Sequence, residues 1–72
     1  MYQVMYRASV APRKRQALIL ASGWSGNRWN IPVLFRSRDE AIRAACKAAK
    51  RKIEQHGGEW SIDIQHEKVV II

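Results

Sequence analysis

Over residues 1–9 the chain alternates, with Tyr2, Val4 and Tyr6 on one side and Gln3, Met5 and Arg7 on the other. A period of two with aromatic and β-branched residues is the pattern of a half-buried strand. Val10-Ala11-Pro12 is expected to break it, because Pro12 has no N–H to give to a ladder. Beyond Arg13-Lys14-Arg15, residues 16–21 carry the apolar run Ala17-Leu18-Ile19-Leu20-Ala21, which predicts a second, more central strand. Residues 22–27 have the Gly, Ser and Asn content of a hairpin loop. A third strand follows over 28–35, with Trp29, Ile31, Val33 and Phe35 sharing the core face. Pro32 within it predicts an edge position or a bulge.

The pattern then changes to a helix. Ser37-Arg38-Asp39-Glu40 is a capping box, and Asp39 and Glu40 set negative charge at the positive end of the helix dipole. Ile42, Ala45, Cys46, Ala49 and Ile53 recur at helical spacing and predict a buried stripe; nearby alanines predict close packing on a sheet. His56-Gly57-Gly58 ends the helix, with a glycine free to adopt the left-handed cap. Trp60, Ile62 and Ile64 next alternate with Ser61, Asp63 and Gln65 as a strand with one wet face. His66-Glu67-Lys68 either turns into a short last strand over 69–72 or is passed straight through. The expected fold is therefore α+β, in the order β-β-β-α-β. One helix lies across an antiparallel sheet of three to five strands, which buries both apolar faces.

Seventy-two residues make one domain, residues 1–72, and a chain of this size buries only about 60% of its unfolded surface. That leaves little depth for a pocket and favours a binding surface, or a dimer that shares its core. A hydrophobic fraction of 47% with 26% charged residues is ordinary for a folded domain. Cys46 is the single cysteine, so no internal disulfide can form. Without a signal-peptide pattern or an apolar run long enough to span a bilayer, the expected setting is cytoplasmic and away from membranes.

Two likenesses bear on the fold. Trp29, Ser37-Arg38-Asp39-Glu40-Ala41-Ile42, Ala48-Ala49-Lys50, Gly57-Gly58-Glu59 and residues 62–64 together resemble a family of small prokaryotic domains of unknown function. Those domains have a strand with a Trp, a capped acidic helix start, a basic helix, a Gly and a closing strand. The likeness covers about the C-terminal two thirds; His66-Glu67-Lys68 stands where that family has an Asp-Gly-Lys-like turn. It implies the order of elements and no activity. In architecture alone, a three-stranded sheet with a helix is similar to the arm-binding domains of phage-type integrases and related plant DNA readers.

Charge points to the partner. The net charge is +7, with twelve cations against three acids through Gly58 and one against three after it. Such a field attracts polyanions, of which nucleic acid is the commonest in a cell. Arg43, Lys47, Lys50 and Arg51 lie opposite the apolar helix stripe, with Lys52 beside them and no acid between Glu40 and Glu54. Arg13, Lys14 and Arg15 form a second patch in a loop. Trp24 and Arg28 form a third, where the Trp either stacks on a base or partner, or folds back as a lid over the core. A solvated helix face explains a charge run equally simply, but not its single sign.

Cys46, His56 and His66 have no metal-site spacing, and no glycine-rich loop leads into a helix. The expectation is a non-enzymatic, cofactor-free nucleic-acid-binding domain that grips backbone phosphates. The alternative is an adaptor or inhibitor module docking on an acidic protein surface. The apolar Val69, Val70, Ile71 and Ile72 suggest a strand edge through which two copies pair as a homodimer.

Overall fold

A computed structural model describes residues 1–13, 22–24 and 26–70. It contains β1 (Tyr2–Pro12), β2 (Trp29–Phe35), α1 (Arg38–His56) and β3 (Trp60–Val70). The strands form an antiparallel sheet in the order β2-β1-β3, with α1 packed across one face. This is the expected α+β architecture. The strand predicted over 16–21 lies outside the described residues.

β1 runs further than its sequence suggests. Pairing with β3 is unbroken from Tyr2↔Val70 to Pro12↔Trp60. Pro12 is the last residue of the strand, where a missing N–H costs no interior ladder bond. Val10 and Ala11, expected to break the strand, are instead buried in it. β3 likewise passes straight through His66-Glu67-Lys68, so of the two alternatives there the uninterrupted strand is the one formed.

On its other side β1 pairs with β2 through Tyr6↔Phe35 and Arg7↔Leu34, then Ser9↔Asn30 and Val10↔Trp29. Ala8 alone therefore faces Ile31, Pro32 and Val33, which is the irregularity expected at Pro32. It swings Val33 outward to 55% exposure, so Val33 leaves the core face assigned to it while Ile31 stays buried.

Both ends of α1 are closed as the sequence predicts. The Ser37 hydroxyl accepts from the Glu40 backbone N–H at 3.1 Å. Gly57, at φ 73°, donates its N–H to the Ile53 carbonyl at 2.7 Å. Its own carbonyl accepts the indole N–H of Trp60 at 2.9 Å, which ties the helix end to the start of β3.

The buried stripe matches the expected one at Ala45 and Ala49 and departs from it elsewhere. Ala41, Ala45 and Ala49 are buried, against Ala8, Val10, Ile31 and Trp60. Cys46 and Ile53 are exposed and Ile42 is half-buried. The row Ala41, Ala45, Ala49 steps by four and so forms one ridge of the helix. Only methyl-sized side chains separate that ridge from the central strand, and the helix sits close. The larger side chains at 42, 46 and 53 are rotated onto one flank.

A tight alanine contact makes a specific prediction. Ala45→Leu forces extra methylenes into a closed interface and should cost about 1–3 kcal/mol. In a domain of this size that is a fall in Tm on the order of 5–15 °C by thermal melting. Glu54→Leu, at an exposed position of the same helix, should leave Tm nearly unchanged.

Candidate nucleic-acid interface

Each carboxylate on or beside β3 has a cation of the strands and loops as partner. Glu67 meets Arg7 at 2.9 Å, Asp63 meets Arg28 at 3.4 Å and Glu59 meets Arg13 at 3.9 Å. Such exposed pairs contribute at most about 1 kcal/mol each, so their main effect is on where charge is left over. It is left over on α1. Arg43, Lys47, Lys50 and Arg51 are all exposed, and among the described residues none has a carboxylate partner.

These cations do not face bulk solvent uniformly. Between α1 and the edge strand β2 runs an open groove of about 350 Å³, at the small end of the range for ligand clefts. Trp29 and Ile31 from β2 and Ala44 and Ala48 from α1 form its apolar walls. Lys47, Arg51 and Lys52 line it from the helix. The groove exists because the alanine ridge seats the helix over β1 and β3 and leaves β2 partly uncovered.

Trp29 is the functional candidate that alternation misassigned. It falls on the core face as predicted, but as the first residue of an edge strand it lies at the rim and is 36% exposed. Lys52, noted in the sequence only as flanking the basic row, places its Nζ 5.0 Å from the ring centroids of both Trp29 and Trp24. A cation held over an indole face gains about 0.5–2 kcal/mol, depending on its desolvation. The signal in the sequence was Pro32: it marks β2 as an edge, and an edge aromatic is not fully covered.

The remaining predicted site residues are dispersed. Trp24 is half-buried and packs edge-on against Trp60, with centroids 5.2 Å apart and planes at 72°. His56 lies 5.6 Å from the same ring and meets the Ser22 hydroxyl through Nδ1. Of the two roles open to Trp24, this packing is that of a lid, and its indole N–H has no hydrogen-bond partner among the described residues. Arg28 lies on the sheet face opposite α1, where Nη1 donates to the Ser9 hydroxyl at 2.6 Å beside Asp63. It is thus separated from the helix cations. Arg13 follows β1 directly and donates its backbone N–H to the Glu59 carbonyl at 2.9 Å. Lys14 and Arg15 lie outside the described residues.

Among the described residues no three His, Cys, Asp or Glu side chains gather as a metal site would require. No helix there is long and apolar enough to cross a membrane.

No protein-family model matches the chain, and no curated protein or solved structure matches it significantly. The likenesses drawn from its motifs therefore carry no further argument, and the functional reading rests on the geometry above.

The packing of Trp24 can be checked directly. Trp24→Ala should destabilise the domain by roughly 2–3 kcal/mol, below the value for a fully buried Trp because this one is half exposed. Urea unfolding followed by circular dichroism measures it. An unchanged midpoint would show that Trp24 is not a lid.

Proposed function

We propose that this domain binds nucleic acid through backbone phosphates, with the α1–β2 groove as the centre of the interface. The observation that carries the reading is the unneutralised cation row of α1 leading into a groove rimmed by an exposed Trp. Lys47, Arg51 and Lys52 supply phosphate contacts inside the groove, and Arg43 and Lys50 extend the track along the helix. Phosphate contacts position a strand without reading its sequence. Trp29 offers a π-face to an unpaired base beside that track, the usual combination in proteins that hold single strands. Single-stranded nucleic acid is accordingly the preferred form. Nothing in this role needs a cofactor or a catalytic group, and the domain acts as a binding module.

Docking on an acidic protein surface draws on the same cations, but its aromatic anchor was Trp24, which is spent on packing against Trp60. No second observation favours it.

Fluorescence anisotropy against labelled single-stranded DNA, RNA and duplex DNA, over a salt series, tests the proposal. Affinity should fall steeply with salt, with a log–log slope of about −0.7 per phosphate neutralised on a single strand. Lys47→Glu combined with Arg51→Glu should make that slope shallower by more than one and weaken binding at least about tenfold. Trp29→Ala should leave folding intact and cost about 1–3 kcal/mol on single strands, with little effect on duplex. A flat salt response in the parent protein would sink the mechanism.

A further inference from the structure

The apolar flank of α1 faces the other edge of the sheet, and nothing in the described chain covers it. Ile53 is 44% exposed and Ile62, on β3, 38% exposed, with Ile42 half-buried and Cys46 exposed beside them. Among the described residues the core is rich in alanine, and Val10 is the largest side chain there that is fully buried. Within the described chain the helix thus buries its alanines and leaves Ile53 exposed, and a domain of this size gains from covering further apolar surface. β3 pairs with β1 alone among the described residues, which leaves its other edge open there.

We infer that β3 pairs antiparallel with β3 of a second copy across a twofold axis at Ile64, giving a continuous six-stranded sheet with the two α1 flanks in contact. Three observations select a second copy as the occupant. The first is geometric: α1 rests on both β1 and β3 and less on β2. A helix seated midway between β1 and β3 lies about two strand spacings from its symmetry mate, roughly 10 Å. That is the distance at which packed helices interlock.

The second is register. A twofold axis normal to the sheet pairs each residue with its mirror position, on the same face. Centred on Asp63 it would oppose Asp63 to itself, and centred on Gln65 it would oppose Asp63 to Glu67, both repulsive. Centred on Ile64 it pairs Ile64 with its copy, Ile62 with His66 and Trp60 with Lys68, with no like charges opposed. A centre at His66 also avoids repulsion. However, of β3 it is Trp60 and Ile64 that pack in the core with α1 while His66 is exposed, so that centre would slide the two helices apart along the strands.

The third is charge. In a chain of net +7, Ile42, Cys46 and Ile53 are uncharged, Lys50 stands at the outer margin of their flank, and the residues from Glu59 onward sum to −2, so association here opposes less cationic surfaces than association through the groove side. Pairing through β2 would instead bring together Lys47, Arg51 and Lys52 of both copies. The terminal Val69 and Val70 belong to the same strand edge, so the pairing expected of them shifts to a centre six residues earlier.

The test uses the native cysteine and no nucleic acid, so it is independent of the proposed binding role. Sedimentation equilibrium at tens to hundreds of micromolar should give a dimer mass. A short bismaleimide should then join two copies through Cys46, which lies near the middle of the facing helices. Ile53→Lys and Ile62→Lys, both at positions exposed in one copy, should yield folded monomers by circular dichroism and sedimentation. A monomeric parent protein overturns the inference. So does a dimer that resists cross-linking at Cys46, or one that persists in both folded variants. If the variants fail to fold, the cross-link in the parent protein decides.

Discussion

One contact sets the layout of this domain: the alanine ridge of α1 on the central strand. Because Ala41, Ala45 and Ala49 project only a methyl group, the helix settles close over Ala8 and Val10. Helix rotation is then restricted, since a turn one way would drive Ile42 and Ile53 into that narrow seam, and the other side is already packed through Ala44 and Ala48. Cations are carried to the outside and toward β2, and the branched aliphatics toward β3. The groove, the open flank and the segregation of charge all follow from the size of three side chains.

Much of this was legible in the sequence, and its limits are instructive. Local signals read correctly: Ser37 and Gly57 bound the helix, Pro32 marks an irregular edge strand, and alternation gives the faces of β1 and β3. Failures came where tertiary contact outranked hydrophobicity. The stripe read from helical spacing holds at Ala45 and Ala49, but hydrophobicity centres it on Ile42, Cys46 and Ile53, about a quarter turn from the buried ridge. Closeness of approach decided for alanine. Trp29 was misread for a related reason: periodicity assigns a residue to a face but cannot say whether that face is covered at the sheet margin. Trp24 and Arg28 sit in a loop, where sequence spacing carries no direction, so their separation onto opposite sides of the molecule needed coordinates.

Charge is divided as cleanly as packing. Glu59, Asp63 and Glu67 sit where the strands and their connections bring Arg13, Arg28 and Arg7, and each pair is local in space though far apart in sequence. Positive potential is thereby cancelled over the sheet and retained over the helix. The two flanks of α1 differ accordingly, one cationic and bordered by an aromatic rim, the other apolar through Ile42, Cys46 and Ile53 with Lys50 at its margin. Partners of opposite chemistry could occupy them without competing for the same surface.

The extent of β2 has a dynamic consequence. Its pairing stops at Tyr6, so among the described residues β1 and β3 continue past it as a two-stranded ribbon, with Tyr2, Val4 and Val70 exposed on the side that faces α1 nearer the centre. The molecule is 47 Å long and only 15 to 19 Å across, and its aromatic packing around Trp24 and Trp60 lies at the opposite end of the strands. A two-stranded ribbon has marginal stability by itself. Stability is thus graded along the long axis: amide hydrogens of the ribbon exchange through local fraying, while those beneath α1 await global unfolding. One end of the domain is a rigid platform, and the other is a pliant arm whose shape can be set by what it meets.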